Sequence, residues 1–343
     1  MSGRALVTGG TGMLGSYIVE RLVEEGWAVR ALVRRGARRG ASSDWLDGVG
    51  VERVEGALED APSLVAAAAG CDVVFHAAAV IGSGGSWTDF QRGNVEGTAH
   101  VVAAAAAAGA RLVHVSSTAV YGRERYRAEP TDEQVPLPEL PPQDVYGRSK
   151  QEAEALVLAA HRAGRAWAAV VRPPVMYGRR DRQFAPRIGA VLQRGLFPRI
   201  AGGRTTLTVV HASSVAEGAV LAARSDVAGG QVYLLANDYP VTTTDLVRCA
   251  ADGLGRRIWA PSVPASVGRA GFAALAWGLR ARGRRDLARH AAGTLDMLTR
   301  DNPFTSERAR RELGWAPSAC RDALLADAFR WWRTNAVTGV RTA

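Results

Sequence analysis

Lysine is almost missing from this sequence. Of its 43 Lys and Arg residues only Lys150 is lysine, and arginine stands wherever else a cation is needed. Cysteine is scarce too. Cys71, Cys249 and Cys320 lie far apart, are odd in number and match no metal-ligand spacing, so no metal site is expected and a reducing, cytoplasmic setting is. No apolar run is long enough to cross a bilayer: the stretch from Ala270 to Leu279 stops well short of the ~20 residues required. The chain enters RALVTG at once, which reads as a strand and not as a targeting segment. Neither an aromatic RNA-binding signature nor a helix-turn-helix pattern accompanies the net charge of +10, so no nucleic-acid partner is expected.

The material that is present suits a folded enzyme-sized unit. With 47% hydrophobic and 22% charged residues over 343 positions, the chain has enough to build one large core with an attached part. Short apolar runs over 4–8, 28–33, 51–56, 72–77, 111–116 and 167–172 alternate with helical segments, one of them over 145–162. That alternation implies right-handed crossovers and a parallel, doubly wound α/β sheet of the Rossmann type. After Arg172 the pattern loosens, with strands expected near 207–211 and 231–235 and helix over 261–300. A loop with five prolines spans 129–142, just ahead of Tyr146.

Between the first strand and the first helix lies TGGTGMLG, residues 8–15. Gly9, Gly12 and Gly15 permit a tight turn and close approach of backbone to a pyrophosphate. The helix that begins there aims its free N–H groups and positive dipole at the anion. Thr8, Gly9, Thr11, Gly12, Met13, Leu14 and Gly15 are therefore expected to hold a dinucleotide. The second strand ends in Arg34 and Arg35, with no acidic residue. A carboxylate there would bond a ribose 2′-hydroxyl, whereas a guanidinium matches a 2′-phosphate. NADP(H) is the expected cofactor, with NAD(H) the alternative. Residues 1–172 would be the dinucleotide-binding domain and 173–343 a smaller, mixed substrate-binding part, with 207–236 packing back on the first.

The lone lysine completes a chemical set. Tyr146 and Lys150 stand four apart on one helix, so they share a face. An ammonium is a compact point charge that fits under a sugar and beside a phenol, where a planar guanidinium fits poorly. Ser117 closes the fifth strand, at the sheet edge where open α/β folds place ligands. Hydride exchange at a carbon requires that its oxygen gain or lose a proton in the same event, and these three groups suit that task.

The combination of TGGTGMLG (8–15), HAAA (76–79), NVEGT (94–98), SSTAVYG (116–122), YGRSK (146–150) and RPPVMYG (172–178) resembles the extended short-chain dehydrogenases/reductases. These are also called the NAD-dependent epimerase/dehydratase family. Within it the likeness is to the branch of dihydroflavonol reductases and 3β-hydroxysteroid dehydrogenases. It spans residues 4 to about 236, with an echo over 305–315. The resemblance implies Tyr146 as general acid/base and Ser117 as the hydroxyl on the carbonyl or alkoxide. It implies Lys150 on the nicotinamide ribose, lowering the phenol's pKa by its charge. It sets Ala77, Ala78 and Ala79 along the adenosine and ribose, with Asn94 as a brace. Arg172, Pro173 and Pro174 would form a nicotinamide wall, and Leu58, Ser116 and Val175 further cofactor contacts.

The implied activity is an NADP(H)-dependent oxidoreductase acting on a secondary alcohol or ketone. The alternative is a nucleotide-sugar epimerase with retained NAD, and a non-enzymatic NADP sensor is a third reading. Departures narrow the field. Thr118 and Ala119 replace the Asp-Glu of sugar 4,6-dehydratases, Leu207 replaces the arginine of UDP-galactose epimerases, and Ala57 and Ser214 replace aspartates. Family members are often homodimers. Pocket candidates are residues 82–87, Tyr177, Arg179, Arg180, Phe184, Arg187 and His211. Arg179 and Arg180 suit an anion or a solvated turn, and His211 a structural or a catalytic role. The arginine-rich stretch 280–289 suits a membrane surface, a lid or a plain exposed face.

Overall fold

The computed structural model describes residues 3–34, 44–82, 85–125, 130–236, 239–317 and 321–337. The first half runs β1 (Arg4–Thr8), α1 (Met13–Glu24), β2 (Ala28–Val33), β3 (Glu52–Glu55), α2 (Ala61–Ala68), β4 (Val73–His76), α3 (Trp87–Phe90), α4 (Gly97–Ala108), β5 (Arg111–Val115), α5 (Val145–Arg162) and β6 (Ala168–Arg172). The second half adds β7 (Val175–Tyr177), α6 (Phe184–Leu192), β8 (Arg199–Ile200), β9 (Val209–His211), α7 (Ala212–Arg224), β10 (Val232–Leu234) and α8 (Thr243–Leu254). It ends with β11 (Ser262–Val263), α9 (Ala265–Ala281), α10 (Arg285–Thr299), α11 (Glu307–Leu313) and α12 (Arg321–Val337).

Seven strands form one parallel sheet in the order β10-β6-β5-β4-β1-β2-β3. This is the doubly wound Rossmann arrangement the alternating pattern implied. Strands β4 and β6 are buried along their whole length, as a sheet covered on both faces demands. Alternate side chains divide between two cores. Val7, Phe75, Val113 and Val171 face α1 and α7. Leu6, Val74, Leu112 and Val170 meet Leu64 of α2, Val101 of α4 and Val157 of α5.

The register places Thr8 beside His76 and His76 beside His114, at the carboxyl ends of three neighbouring strands. All three are buried. Between α3 and α4 the chain does not run as one plain helix: Gln91–Glu96 forms a π-helical turn that carries Asn94.

The second part is helix-dominated, with two short strand pairs, β7 with β9 and β8 with β11. Its own core gathers Tyr177, Phe184, Leu192, Leu246, Leu325 and Phe329. The chain crosses back twice. Helix α7 lies against α1 in the first core, and β10 edges the main sheet. Trp315 is fully buried beside them, its indole donating to the Ser214 carbonyl at 2.8 Å.

Candidate active site

The loop after β1 is drawn tight against the sheet. Gly9 has φ +75°, and a β-carbon there would sit 2.7 Å from the Ala78 nitrogen. A β-carbon on Gly15 would fall 2.1 Å from the Gly9 carbonyl oxygen. Only bare backbone lets α1 start this close to the strand. Gly12 caps α1 and supplies no side-chain acceptor, so the first-turn N–H groups stay available to an anion. The geometry fits a pyrophosphate held by Gly9, Thr11, Gly12, Met13, Leu14 and Gly15.

The remaining candidates for cofactor contact divide into exposed and inward groups. Thr8 is fully buried, its hydroxyl 2.8 Å from His76 Nδ1 and accepting from the Ala78 N–H at 3.3 Å. Ala77, Ala78 and Ala79 are half-buried beyond β4. Leu58 packs under α4, and its carbonyl lies 2.8 Å from His100 Nδ1. Arg34 is exposed at the end of β2, and Arg35 lies outside the described residues. Ser116 is buried, and its hydroxyl has no partner among the described residues.

The Ser117 hydroxyl lies on the Tyr146 side of the site, close enough to influence the phenol, and it accepts from the Ala119 N–H at 3.1 Å. Helix α5 begins at Asp144, whose carboxylate accepts from the Gly147 N–H at 3.1 Å. That cap fixes the first turn, which carries the half-buried Tyr146, and the Phe90 ring packs edge-on at 6.3 Å. Burial pushes the Tyr146 phenol above its ordinary value, and the nearby Ser117 hydroxyl offsets part of the rise. The lowering implied by the family likeness is not what the phenol shows here. Lys150 is buried and donates to the Val115 carbonyl at 2.9 Å. Burial lowers its pKa to about 8, and the Glu154 charge one turn further works against that drop.

Asn94 joins two walls of the site. Its amide accepts from the Val80 N–H at 2.7 Å and donates to the Val80 carbonyl and the Ser149 hydroxyl, both at 3.0 Å. Arg172 turns inward from the proposed nicotinamide wall. Its guanidinium pairs with Glu154 and donates to the Tyr121 hydroxyl at 2.6 Å. Pro173 is buried, its carbonyl accepting from the Thr118 N–H at 3.0 Å; Val175 is exposed.

Several pocket candidates serve other purposes. Tyr177 and Phe184 belong to the core of the second part. Arg179 and Arg180 reach Glu20 of α1, and Arg180 also donates to the Ser16 hydroxyl and covers the Trp45 ring at 4.3 Å. They tie the second part to the first rather than opening onto an anion. His211 caps α7 through Ser213 and packs edge-on against Tyr17 and Tyr177.

Four groups around the site were given no role by the motif-based reading, although His76 and Tyr121 lie within its HAAA and SSTAVYG segments: His76, His114, Tyr121 and Glu154. Burial brings His76 down to about 3 and His114 well below the ordinary imidazole range, with the Lys150 charge adding to both. Their signal was available, as polar residues at matching positions in two apolar strands. Glu154 likewise follows Tyr146 and Lys150 at helical spacing.

Among known proteins the chain is 34% identical to the 4-hydroxy-2-methyl-3-oxo-4-farnesyl-3,4-dihydroquinoline-1-oxide ketoreductase of Stigmatella aurantiaca, over 91% of this chain and 92% of that one. It is 32% identical to the 2-alkyl-3-oxoalkanoate reductase of Stenotrophomonas maltophilia, over 92% and 94% of the two chains. The crystal structure of gox2253 superposes with a TM-score of 0.74 at 29% identity, covering 97% of this chain and 99% of that one. The family pattern described as NAD dependent epimerase/dehydratase matches residues 5–236. With that match across the dinucleotide fold and two full-length reductase relatives, the chain belongs to the NAD-dependent epimerase/dehydratase family, the extended short-chain dehydrogenases/reductases.

Proposed function

We propose that the chain is an NADP(H)-dependent oxidoreductase that interconverts a ketone and a secondary alcohol through Ser117, Tyr146 and Lys150. The observation that carries this reading is the buried Lys150, held by the Val115 carbonyl at the end of β5 and one helical turn from Tyr146, with Ser117 just beyond the same strand. The bound nicotinamide supplies or accepts the hydride at the carbon that bears the reacting oxygen. Tyr146 holds the proton for that oxygen. A phenol raised by burial stays protonated at neutral pH, which suits a proton donor in the reductive direction. The Ser117 hydroxyl, near the phenol, orients the oxygen between two hydroxyls. Lys150, charged below about pH 8, places a cation under the site and can donate to a ribose hydroxyl.

Arg34, exposed at the end of β2 where an acid would select NAD(H), supports NADP(H). The names of both relatives describe reduction of an oxo group on a molecule with an apolar chain. A ketone carrying such a chain is therefore the substrate class we assign.

The test is NADPH oxidation across a panel of alkyl and polycyclic ketones with the intact protein and with Tyr146→Phe. Turnover should fall by about two to four powers of ten in the variant while NADPH still binds. Activity unchanged in Tyr146→Phe would overturn the assignment. Stoichiometric NAD carried through purification, together with binding of nucleotide sugars, would replace it with the epimerase reading.

A further inference from the structure

Helix α9 turns an apolar face toward solvent. It packs inward through Gly268, where a β-carbon would collide with Ile200, through Phe272 and through the buried Ala276. On the opposite side Val267, Ala270, Ala274, Trp277 and Ala281 follow one another at helical spacing, and all are exposed. Trp277 is 73% exposed and Val267 57%. A surface helix of a soluble domain ordinarily carries charge at the point farthest from its core. Here that point is aliphatic and aromatic.

Charge is displaced to the margin of this strip. Arg269 and Arg280 flank it on the helix, and Arg282 and Arg284 follow its end; all four are exposed. Among the described residues none of the four has a carboxylate partner. Between Asp252 and Asp286 the chain has seven arginines and no acidic residue. Arginine elsewhere on this protein is repeatedly paired, as Arg179 and Arg180 are with Glu20 and Arg172 is with Glu154. Among the described residues, the arginines around α9 are thus without a carboxylate partner, next to the largest exposed apolar side chain of the helix.

We propose that this face of α9 docks on the surface of an anionic lipid bilayer. Trp277 and Val267 enter the boundary between headgroups and acyl chains, the depth that interfacial helices reach with tryptophan and aliphatic residues. The flanking guanidiniums bond the lipid phosphates, which they match as two-point donors. Attachment is peripheral, since no helix among the described residues is long and apolar enough to span a bilayer. Charge decides against a second copy of the chain as the occupant. Two such faces brought together would oppose arginine to arginine, which disfavours association. The docking requires nothing of the active-site chemistry and stands independently of it.

The experiment is co-sedimentation of the full chain with vesicles of phosphatidylcholine alone and of phosphatidylcholine mixed with phosphatidylglycerol, at low and at raised salt. The expected result is binding to the anionic vesicles about tenfold or more above the neutral ones, weakened by salt. Two variants are compared, Trp277→Gln and the triple Arg280→Gln, Arg282→Gln, Arg284→Gln. All four side chains are exposed, so far-ultraviolet circular dichroism should match the parent while vesicle binding drops about tenfold in each. Absent binding to anionic vesicles at low salt overturns the proposal, as does binding that neither variant weakens. Concentration-dependent dimerisation abolished by Trp277→Gln, without vesicle binding, would overturn it in favour of self-association.

Discussion

Glu154 holds Arg172 in a buried two-point ion pair one helical turn beyond Lys150, with Arg172 Nε donating to Glu154 Oε2 at 3.0 Å. The pair joins three segments of the site. Glu154 lies on the Tyr146–Lys150 helix, Arg172 ends β6 beside Pro173, and Tyr121, bonded to Arg172, follows Ser117 in the turn after β5. Lys150 therefore sits in a balanced field. Burial disfavours its charge, and Glu154 supports it.

Glu154→Gln should move the Lys150 midpoint further below about 8, since it removes the supporting anion and leaves the Arg172 charge unpaired nearby. Breaking a buried pair should also cost about 3–5 kcal/mol of stability. Because Lys150 is the single lysine of the chain, protein grown with isotopically labelled lysine gives one lysine side-chain signal. Its titration by nuclear magnetic resonance reads the midpoint directly, without substrate. Glu154→Asp keeps the charge and should restore most of the shift. A midpoint that stays put in Glu154→Gln would remove Glu154 from any electrostatic role.

Arg34→Glu should reverse the choice of nucleotide. The exposed guanidinium at the end of β2 is replaced by a carboxylate that repels a 2′-phosphate and bonds a 2′-hydroxyl. NADPH affinity should fall about ten- to a hundredfold, the worth of one charge-assisted hydrogen bond, while NADH affinity holds or rises. Fluorescence titration with both nucleotides decides it, and equal losses for both would show that Arg34 does not read the phosphate.

The Rossmann half was legible because its signals are local. Apolar runs bounded by turns located β1, β2 and α5 to the residue, and TGGTGMLG could only be a tight turn between strand and helix. The lone lysine and its tyrosine partner needed nothing more than helical spacing. What stayed hidden depends on contacts across the chain. Tyr177 and Phe184 follow the RPPVMYG segment and read as pocket walls, yet the packing of α6 against α8 and α12 draws them into a second core. Arg179 and Arg180 read as anion ligands or a solvated turn because Glu20, about 160 positions earlier, was not visible as their partner. The π-helical turn at Gln91–Glu96 has no periodic signature of its own, since six residues are too few to establish a period.

Gly15→Ala should damage the protein before any nucleotide is added. Its β-carbon would fall 2.1 Å from the Gly9 carbonyl oxygen and 2.6 Å from the Gly9 carbonyl carbon, both backbone atoms that cannot step aside. Gly12→Ala meets the same oxygen at 3.2 Å, a contact that a small shift relieves. Thermal unfolding of the nucleotide-free proteins should show a loss of about 1–3 kcal/mol for Gly15→Ala and a smaller one for Gly12→Ala. The reverse order would place the tight approach at the wrong glycine.

His114→Leu should stabilise the protein, and more so in acid. The ring is fully buried, and neither nitrogen has a hydrogen-bond partner among the described residues. Replacing it with an apolar side chain of similar size removes an unsatisfied polar group, worth about 1–3 kcal/mol at neutral pH. The acid effect follows from the direction of its pKa. Burial holds His114 well below the ordinary value, so below about pH 6.5 the unfolded chain takes up a proton that the folded chain refuses. Stability contributed by the neutral ring is therefore present above that pH and lost as pH falls, at about 1.4 kcal/mol per pH unit. His114→Leu deletes this loss. Its advantage over the parent in urea unfolding should grow by about 2 kcal/mol between pH 8 and pH 5. His76, held down to about 3 by the same burial, remains in both proteins and keeps part of the acid sensitivity. Stability curves for parent and variant that run parallel across this range would mean that His114 takes up a proton in the folded protein as readily as in the unfolded chain.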